Sequence, residues 1–370
     1  MSKAVPATTA LTPMHALRMW MSRREVDAVY VTKPVSIAYL TGFLAEPHER
    51  LMALAVTHDG STLIVPSLEE QKAASAVTET DVVSWRDGED AYGLVARALS
   101  GRREVAVEKE HLTLAAAEAL TDRIGVAELT DAGPEVRRMR LTKREPEVAR
   151  LQRAAAITDA AGEEVLSRLR AGLTELAVAQ MMASVIAEQG AALSFDTLVQ
   201  SGPNSAMPHA RPSSRKLAEG DFVLLDFGAA FEGYKADSTR MAVLGEPSAR
   251  QAEIHQLVLD AHDAAIEAIR PGAVTGDVDA AARRVIDAGG YAERFFHRVG
   301  HGLGLEAHED PSLDPGSATV LETGMTFTIE PGVYIPGWGG VRIEDDILVE
   351  DGGCRLLTKS SRTLRVVRTS

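Results

Sequence analysis

The chain has 370 residues, enough for two domains that each bury a core at roughly 150 residues per domain. Its 53 Asp and Glu against 39 Lys and Arg leave a net charge of −14, which argues against a nucleic-acid partner or an anionic membrane surface. Cys354, the only cysteine, excludes an internal disulfide framework and suits a reducing compartment; its setting, DGGCRLL, reads as a late strand. The N-terminal MSKAVPATTALTPMHALRMWM has no apolar signal core, because His15 and Arg18 interrupt the one candidate, and no run reaches the length of a membrane span. A soluble, cytoplasmic protein is expected.

From about residue 14 to 135, helical and strand patterns alternate. MHALRMWMSRREV reads as a helix and DAVYV as a strand; SIAYLTGF follows, then LMALAVT, the turn HDGS and the strand TLIV. A helix near LEEQKAASAV, the strand DVVSW, a helix through DAYGLVARAL, the strand EVAVE and the helix LTLAAAEALTDRI complete the run. Such alternation predicts a small α/β domain with a mixed sheet. The stretch TDAGPEVRRMRLTKREPE, with Gly133, Pro134, a basic run and Pro146, reads as a boundary, giving domains over 1–137 and 138–370.

The second domain opens with a long Ala-rich helix, PEVARLQRAAAITDAAGEEVLSRL, and a second helix, TELAVAQMMASVIAEQG, stopped at Gly190. A hairpin follows, then two helices near RQAEIHQLVLDAHDAAIEAI and VTGDVDAAARRVIDAGG, then strands and a second hairpin. Helices followed by a hairpin, twice over, suggest a duplicated unit and an α+β class rather than βαβ repetition.

The two hairpins carry the chemistry. VLLDFGAAFEGYKADSTR holds Asp226 and Asp237, and FTIEPGVYIPGWGGVRIED holds Glu330 and Glu344. A first turn at Phe231 and Glu232 sets Asp226 opposite Asp237, and a second turn centred on Gly337 sets Glu330 opposite Glu344. Like charges so placed weaken a sheet unless a cation lies between them. His301 lies between the pairs in HRVGHGLGLEAHE. Four carboxylates and one imidazole, with no basic partner inside either pair, suggest a metal site, and two divalent ions could share the carboxylates. Such ligands favour manganese, cobalt, iron or zinc over calcium, and a structural zinc site would draw on thiolates that are absent.

One further histidine precedes each acidic pair. His209 stands in the Pro- and Ser-rich SGPNSAMPHARPSS, and His308 follows His301 by seven residues. Both fit hydrogen-bond donors beside a metal centre. Thr239 and Thr328 share strand faces with the acids and could orient them, and His297 could serve the same pocket. The glycines of GHGLGLE lack the lysine and the βαβ context of a phosphate loop, so nucleotide binding is not expected.

The stretches SFDTLVQSGPNSAMPHARPSS, EGDFVLLDFGAAFEGYKADSTR, FFHRVGHGLGLEAHEDPSL and GMTFTIEPGVYIPGWGGVRIEDDILV resemble the creatinase/aminopeptidase P/prolidase metallopeptidases, the pita-bread fold, over about 145–365. VDAVYVTKPVSIAYLTGF resembles the smaller N-terminal domain of the prolidase and aminopeptidase P branch, which methionine aminopeptidases lack. The resemblance implies that Asp226 and His301 each bind one of two metals, that Asp237 and Glu344 bridge them, and that Glu330 is both ligand and proton carrier. A water activated by the ions would attack the carbonyl of a Xaa-Pro bond. Glu330 would pass its proton to the leaving nitrogen, His308 and His209 would position substrate and stabilise the oxyanion, and Arg342 would hold a carboxylate or steady the loop. Manganese is the first expectation among the metals, with cobalt or zinc behind it. The substrate would be a proline-containing dipeptide or, for an aminopeptidase P, a longer peptide. A metal-free creatinase-like hydrolase and a non-catalytic binding protein would both have lost the ligands that are intact here.

The resemblance also implies a homodimer, in which His48, Glu49 and Arg50 could reach a partner's site. One position departs from it. Some prolidases place a carboxylate-binding arginine just after the His-Glu-x-Pro segment, where this chain has HEDPSL and Ser312. Arg211, Arg215 or Arg298 could substitute.

Overall fold

A computed structural model describes residues 12–368, so the first eleven residues of the stretch searched for a signal core lie outside the described residues. The chain divides into two compact units, Met1–Arg140 and Leu141–Ser370.

The first unit is built on a six-stranded mixed sheet. Its order is Asp81–Trp85, Ser61–Pro66, Ala53–Thr57, Ala28–Val31, Val105–Val107 and Leu129–Asp131. The first and the last two neighbouring pairs are parallel, and the two central pairs are antiparallel. Tyr30, Ala55, Ile64, Val95, Leu99, Val107 and Leu120 close one core between the sheet and its helices. SIAYLTGF folds as a helix, Pro34–Thr41, because Pro34 occupies its first turn and Gly42 takes the left-handed cap at φ 81°. The stretch expected as a boundary is helical too. Gly133–Leu141 buries Val136, Met139 and Arg140, and Pro134 sits in the first turn, where no backbone donor is needed.

The second unit repeats a helix pair and a set of antiparallel strands. Glu145–Arg168 and Glu175–Glu188 form the first pair, Ala249–Ala268 and Thr275–Ala288 the second. The central strand Phe222–Phe227 is buried along its whole length. Val223, Leu225 and Phe227 pack with Ile157, Val165, Val178 and Val185 of the first helix pair. Phe222 and Leu224 join Ile254, Val258, Val278 and Ile286 of the second pair, together with Phe327, Ile329, Ile347 and Val349. Burial on both faces explains an apolar run broken by one acid, Asp226. That acid falls on the Phe222–Leu224 face.

Two sheets meet at the site. One runs Arg365–Val367, Ser238–Leu244, Phe222–Phe227 and Leu198–Ser201; the other runs Glu309–Leu313, Gly300–Gly302, Thr326–Ile329, Asp345–Glu350 and Gly353–Leu356. A β-bridge, Thr239 to Glu344, joins them. Cys354 lies in the edge strand of the second sheet.

The register of the first hairpin differs from expectation. Asp226 pairs with Thr239, and Phe231 with Tyr234, so the turn residues are Glu232 and Gly233. Their φ values, 48° and 86°, are those of a type I′ turn. Asp237 is therefore diagonal to Asp226 rather than opposite it, and it keeps the same face because the shift is two residues. The second hairpin follows the expected register. Ile329 pairs with Asp345 and Gly332 with Arg342, which leaves Glu330 facing Glu344 in the gap between two short ladders.

Candidate metal centre

Five side chains from both halves converge. Asp237, His301 and Glu344 each offer a ligand atom within 4.8 Å of the others. His301 Nε2 lies 3.3 Å from Glu330 Oε1 and 3.9 Å from Asp237 Oδ2. All but Glu330 are buried, and Glu330 is 15% exposed at the side chain.

The neighbours fix these groups in orientations suited to a cation. Thr239 Oγ1 donates to Glu344 Oε2 at 2.6 Å, and Asp346 accepts from the Asp237 backbone N–H at 3.0 Å. His301 Nδ1 lies 3.2 Å from the Gly302 carbonyl, so its proton belongs there and Nε2 keeps the lone pair. The expected pairing of Thr328 with Glu330 is long, at 3.5 Å; Thr328 instead receives the His301 backbone N–H at 3.2 Å. Arg342 donates through Nη2 to Asp226, through Nε to Thr239 Oγ1 at 3.0 Å and through Nη1 to Tyr334 Oη at 3.0 Å. The carboxylate it holds is Asp226, so its guanidinium is committed to the protein.

The electrostatics ask for positive charge. Burial pushes the Asp237 and Glu344 carboxyls well above the usual range, and the neighbouring acids push them further. Burial also raises Glu330 to about 7, against the pull of Arg342. His301 falls to about 3, through burial and the nearby His308, and so stays neutral. Asp226 Oδ1 and Asp237 Oδ1 are buried without a hydrogen-bond partner. Orphaned carboxylate oxygens at this depth are costly unless a cation satisfies them. The donor set, four carboxylates and one imidazole, fits divalent metal.

The glycines beside His301 serve packing. A Cβ on Gly300 would lie 1.9 Å from the Thr328 carbonyl oxygen, and one on Gly302 would lie 2.1 Å from that of Asp310. Only glycine lets the His301 strand fit between its neighbours. No phosphate-binding role is needed to explain them.

A cavity of about 1150 Å³ opens over the acids. His209 and His308 line it, as do His297, Arg298, Lys235, Arg342 and the apolar Phe195, Leu198, Met207 and Phe296. The His308 ring meets His301 edge-on, with centroids 4.1 Å apart. The His209 loop is held by two residues that carry no signal in the sequence. Buried Glu175 accepts from the Ser201 and Ser213 backbone N–H groups and hydroxyls and from Asn204, at 2.6–3.3 Å. Buried Gln200 donates to the carbonyls of Pro208 and Ala210 at 2.9 and 3.1 Å, bracketing His209. His297 Nε2 lies 2.9 Å from Tyr334 Oη, and Nδ1 lies 2.7 Å from the Arg298 carbonyl. His48, Glu49 and Arg50 belong to the first unit, where Asp87 and Glu49 hold Arg50. Among the described residues no helix is long and apolar enough to cross a membrane.

Residues 149–351 match metallopeptidase family M24, and residues 14–142 match the creatinase/prolidase N-terminal domain. The chain belongs to metallopeptidase family M24. An uncharacterized peptidase of Staphylococcus aureus is 38% identical over 91% of this chain and 96% of its own. Among solved structures, a Xaa-Pro dipeptidase from Bacillus anthracis superposes with a TM-score of 0.90 at 35% identity, covering 96% of this chain and 99% of that one. An X-Pro aminopeptidase from Thermotoga maritima gives 0.86 at 31% identity, covering 94% and 99%. The protein is a peptidase of this family with the pita-bread fold, and the expected α+β class with a smaller N-terminal α/β domain holds.

Proposed function

We propose that this M24 peptidase hydrolyses Xaa-Pro bonds with two divalent ions, manganese first among them, and that dipeptides are its main substrates. One observation carries the reading. Asp226, Asp237, His301, Glu330 and Glu344 meet in one cavity with two orphaned carboxylate oxygens, beside His209 and His308. Asp226 would hold one ion and His301 with Glu330 the other, and Asp237 and Glu344 would be shared. When bound, the metal lowers the pKa of water and polarises the scissile carbonyl.

The chain's own groups supply the rest. Glu330, facing Glu344 across the second hairpin and 3.3 Å from His301, would accept a proton from the attacking water and release it to the proline nitrogen. A Xaa-Pro amide has no N–H, so its recognition needs an apolar slot, and Phe195, Leu198, Met207 and Phe296 provide apolar wall. His209 and His308 would donate to the carbonyl oxygen as charge develops on it. The fold's likeness to a Xaa-Pro dipeptidase supports the dipeptidase reading, and the likeness to an X-Pro aminopeptidase supports cleavage of longer peptides as a second. A cytoplasmic homodimer is part of the same proposal, supported by the lone cysteine and by the family resemblance.

Hydrolysis of Ala-Pro and Ala-Pro-Ala by manganese-loaded protein, before and after complete chelation, tests the reading. About two ions per chain should be released, and activity should disappear with them and return on reloading. Activity that survives metal removal sinks it. Faster cleavage of Ala-Pro-Ala than of Ala-Pro would favour the aminopeptidase.

A further inference from the structure

We propose that Asp279 and Arg283, one helical turn apart on Thr275–Ala288, clamp the backbone that carries Phe296, His297 and Arg298 and so set one wall of the cavity. Both are positioning residues: neither lines the cavity over the acids, and each acts through the backbone it holds. The inference rests on the Xaa-Pro reading for the substrate that tests it.

The wall has no regular structure of its own. Residues 295–299 run from the short helical turn Ala292–Arg294 to the strand Gly300–Gly302 and belong to neither. Backbone groups in such a stretch need partners from elsewhere. Arg283 supplies two, donating through Nη1 to the Phe295 carbonyl at 2.9 Å and through Nη2 to the His297 carbonyl. Asp279 Oδ1 accepts the Val299 N–H at 3.0 Å, a donor shared with the Leu313 carbonyl. The clamp residues also hold each other. Arg283 donates to Asp279 through Nε and, at 3.0 Å, through Nη2, so a carboxylate that is only 1% exposed fixes the fork.

An ion pair four residues apart on a helix is ordinarily a surface contact of little consequence. This one spends its remaining donors on carbonyls that bracket Phe296. That residue is 63% exposed, lines the cavity and tilts its ring onto Tyr334, with centroids 5.4 Å apart. The Arg283 guanidinium lies over the Phe295 ring as well, 4.3 Å from its centroid. The first half has a counterpart, because Glu175, on the second helix of its own pair, holds the His209 loop. A second cavity, of about 400 Å³, is lined by Asp279, Arg283, Phe295 and Pro315. Truncation of Arg283 would leave the Asp279 carboxylate facing that space, where a free guanidinium ion can take the lost group's place.

The test measures Ala-Pro hydrolysis, metal content, thermal melting and hydrogen exchange on manganese-loaded protein. In Arg283→Ala, kcat/KM should fall about 10-fold, chiefly through KM, because the metal ligands stay in place while the wall that meets the substrate loosens. Metal content should match wild type, and backbone exchange over residues 295–299 should speed by about 10-fold. Guanidinium ion at millimolar concentrations, far below denaturing ones, should restore both KM and exchange. It should restore neither when Asp279→Asn is added, since the carboxylate that would hold it is gone. Arg283→Lys keeps the charge and should show a smaller rise in KM. An unchanged KM, a loss that tracks metal content or Tm, or a failure of guanidinium to rescue Arg283→Ala would each overturn the clamp. Wild type that leaves Ala-Pro uncut refutes the Xaa-Pro reading, and the exchange measurements with and without guanidinium then decide the clamp by themselves.

Discussion

The two acidic hairpins do the same work in different ways. The second keeps its register on both sides of the acids, from Ile329–Asp345 to Gly332–Arg342, so Glu330 and Glu344 face each other. The first turns one residue later than its apolar pattern suggests and is pinched beyond Asp226. A Cβ on Gly228 would lie 1.8 Å from the Ala236 carbonyl oxygen, and this close approach brings Asp237 in diagonally. The charge arrangements differ as well. Arg342 reaches across to neutralise Asp226, while Glu344 has the neutral Thr239 hydroxyl. What the halves share is one acid each in the Asp237–His301–Glu344 cluster. Duplication fixes the strand that presents an acid; it does not fix the pairing partner.

The largest expected effect tests whether those two acids are equivalent. Asp237→Asn and Glu344→Gln should each lower kcat/KM on the order of 10³-fold, about 4 kcal/mol of transition-state stabilisation, and each should cut metal content by more than half. Metal analysis and steady-state rates check both. If one substitution spares activity while the other abolishes it, the acids are not shared between the ions.

How much of this is legible in the sequence follows from the range of the forces involved. The acids, His301 and the two flanking histidines stand in local apolar and glycine patterns, so chain order alone marks them. The turn that sets the first register depends on whether Glu232 or Gly233 takes the second left-handed position, a choice that apolar alternation cannot see. Gly133–Leu141 resembles a linker because its charge run hides the buried face of Val136, Met139 and Arg140. Glu175 and Gln200 are invisible for a different reason. Each is an ordinary polar residue in sequence, and each acts on groups between 8 and 38 residues away that only the folded sheet brings near.

Those two residues give the next comparison. The His209 loop of the first half hangs from Gln200 and Glu175, whereas His308 of the second half leans on the His301 ring. Gln200→Leu should lower kcat by about 10-fold through loss of His209 alignment, within the range for groups that orient a functional side chain. In a His209→Ala background the same change should cost less than about 2-fold, because the residue being aligned is gone. A double-mutant cycle with thermal melts on each variant measures this. Additive losses, or a kcat fall that tracks a fall in Tm, would make Gln200 a general packing residue.

The smallest effect lies in the turns themselves. Glu232 holds a left-handed backbone at φ 48°, a conformation that costs a side-chain-bearing residue about 1–2 kcal/mol and that asparagine adopts more readily. Its exposed pair with Arg150, at 2.7 Å, offsets about 0–1 kcal/mol of that. Glu232→Asn should therefore stabilise the protein by about 0.5 kcal/mol and raise Tm by roughly 1 °C. In the second hairpin Gly337 occupies the left-handed position at φ 76°, and a Cβ there would meet nothing within 4 Å, so Gly337→Ala should destabilise by about 1 kcal/mol through the backbone alone. Calorimetry on the two variants gives opposite signs if turn conformation sets the two registers. Matching signs would mean that strand packing sets them, with the turns merely following.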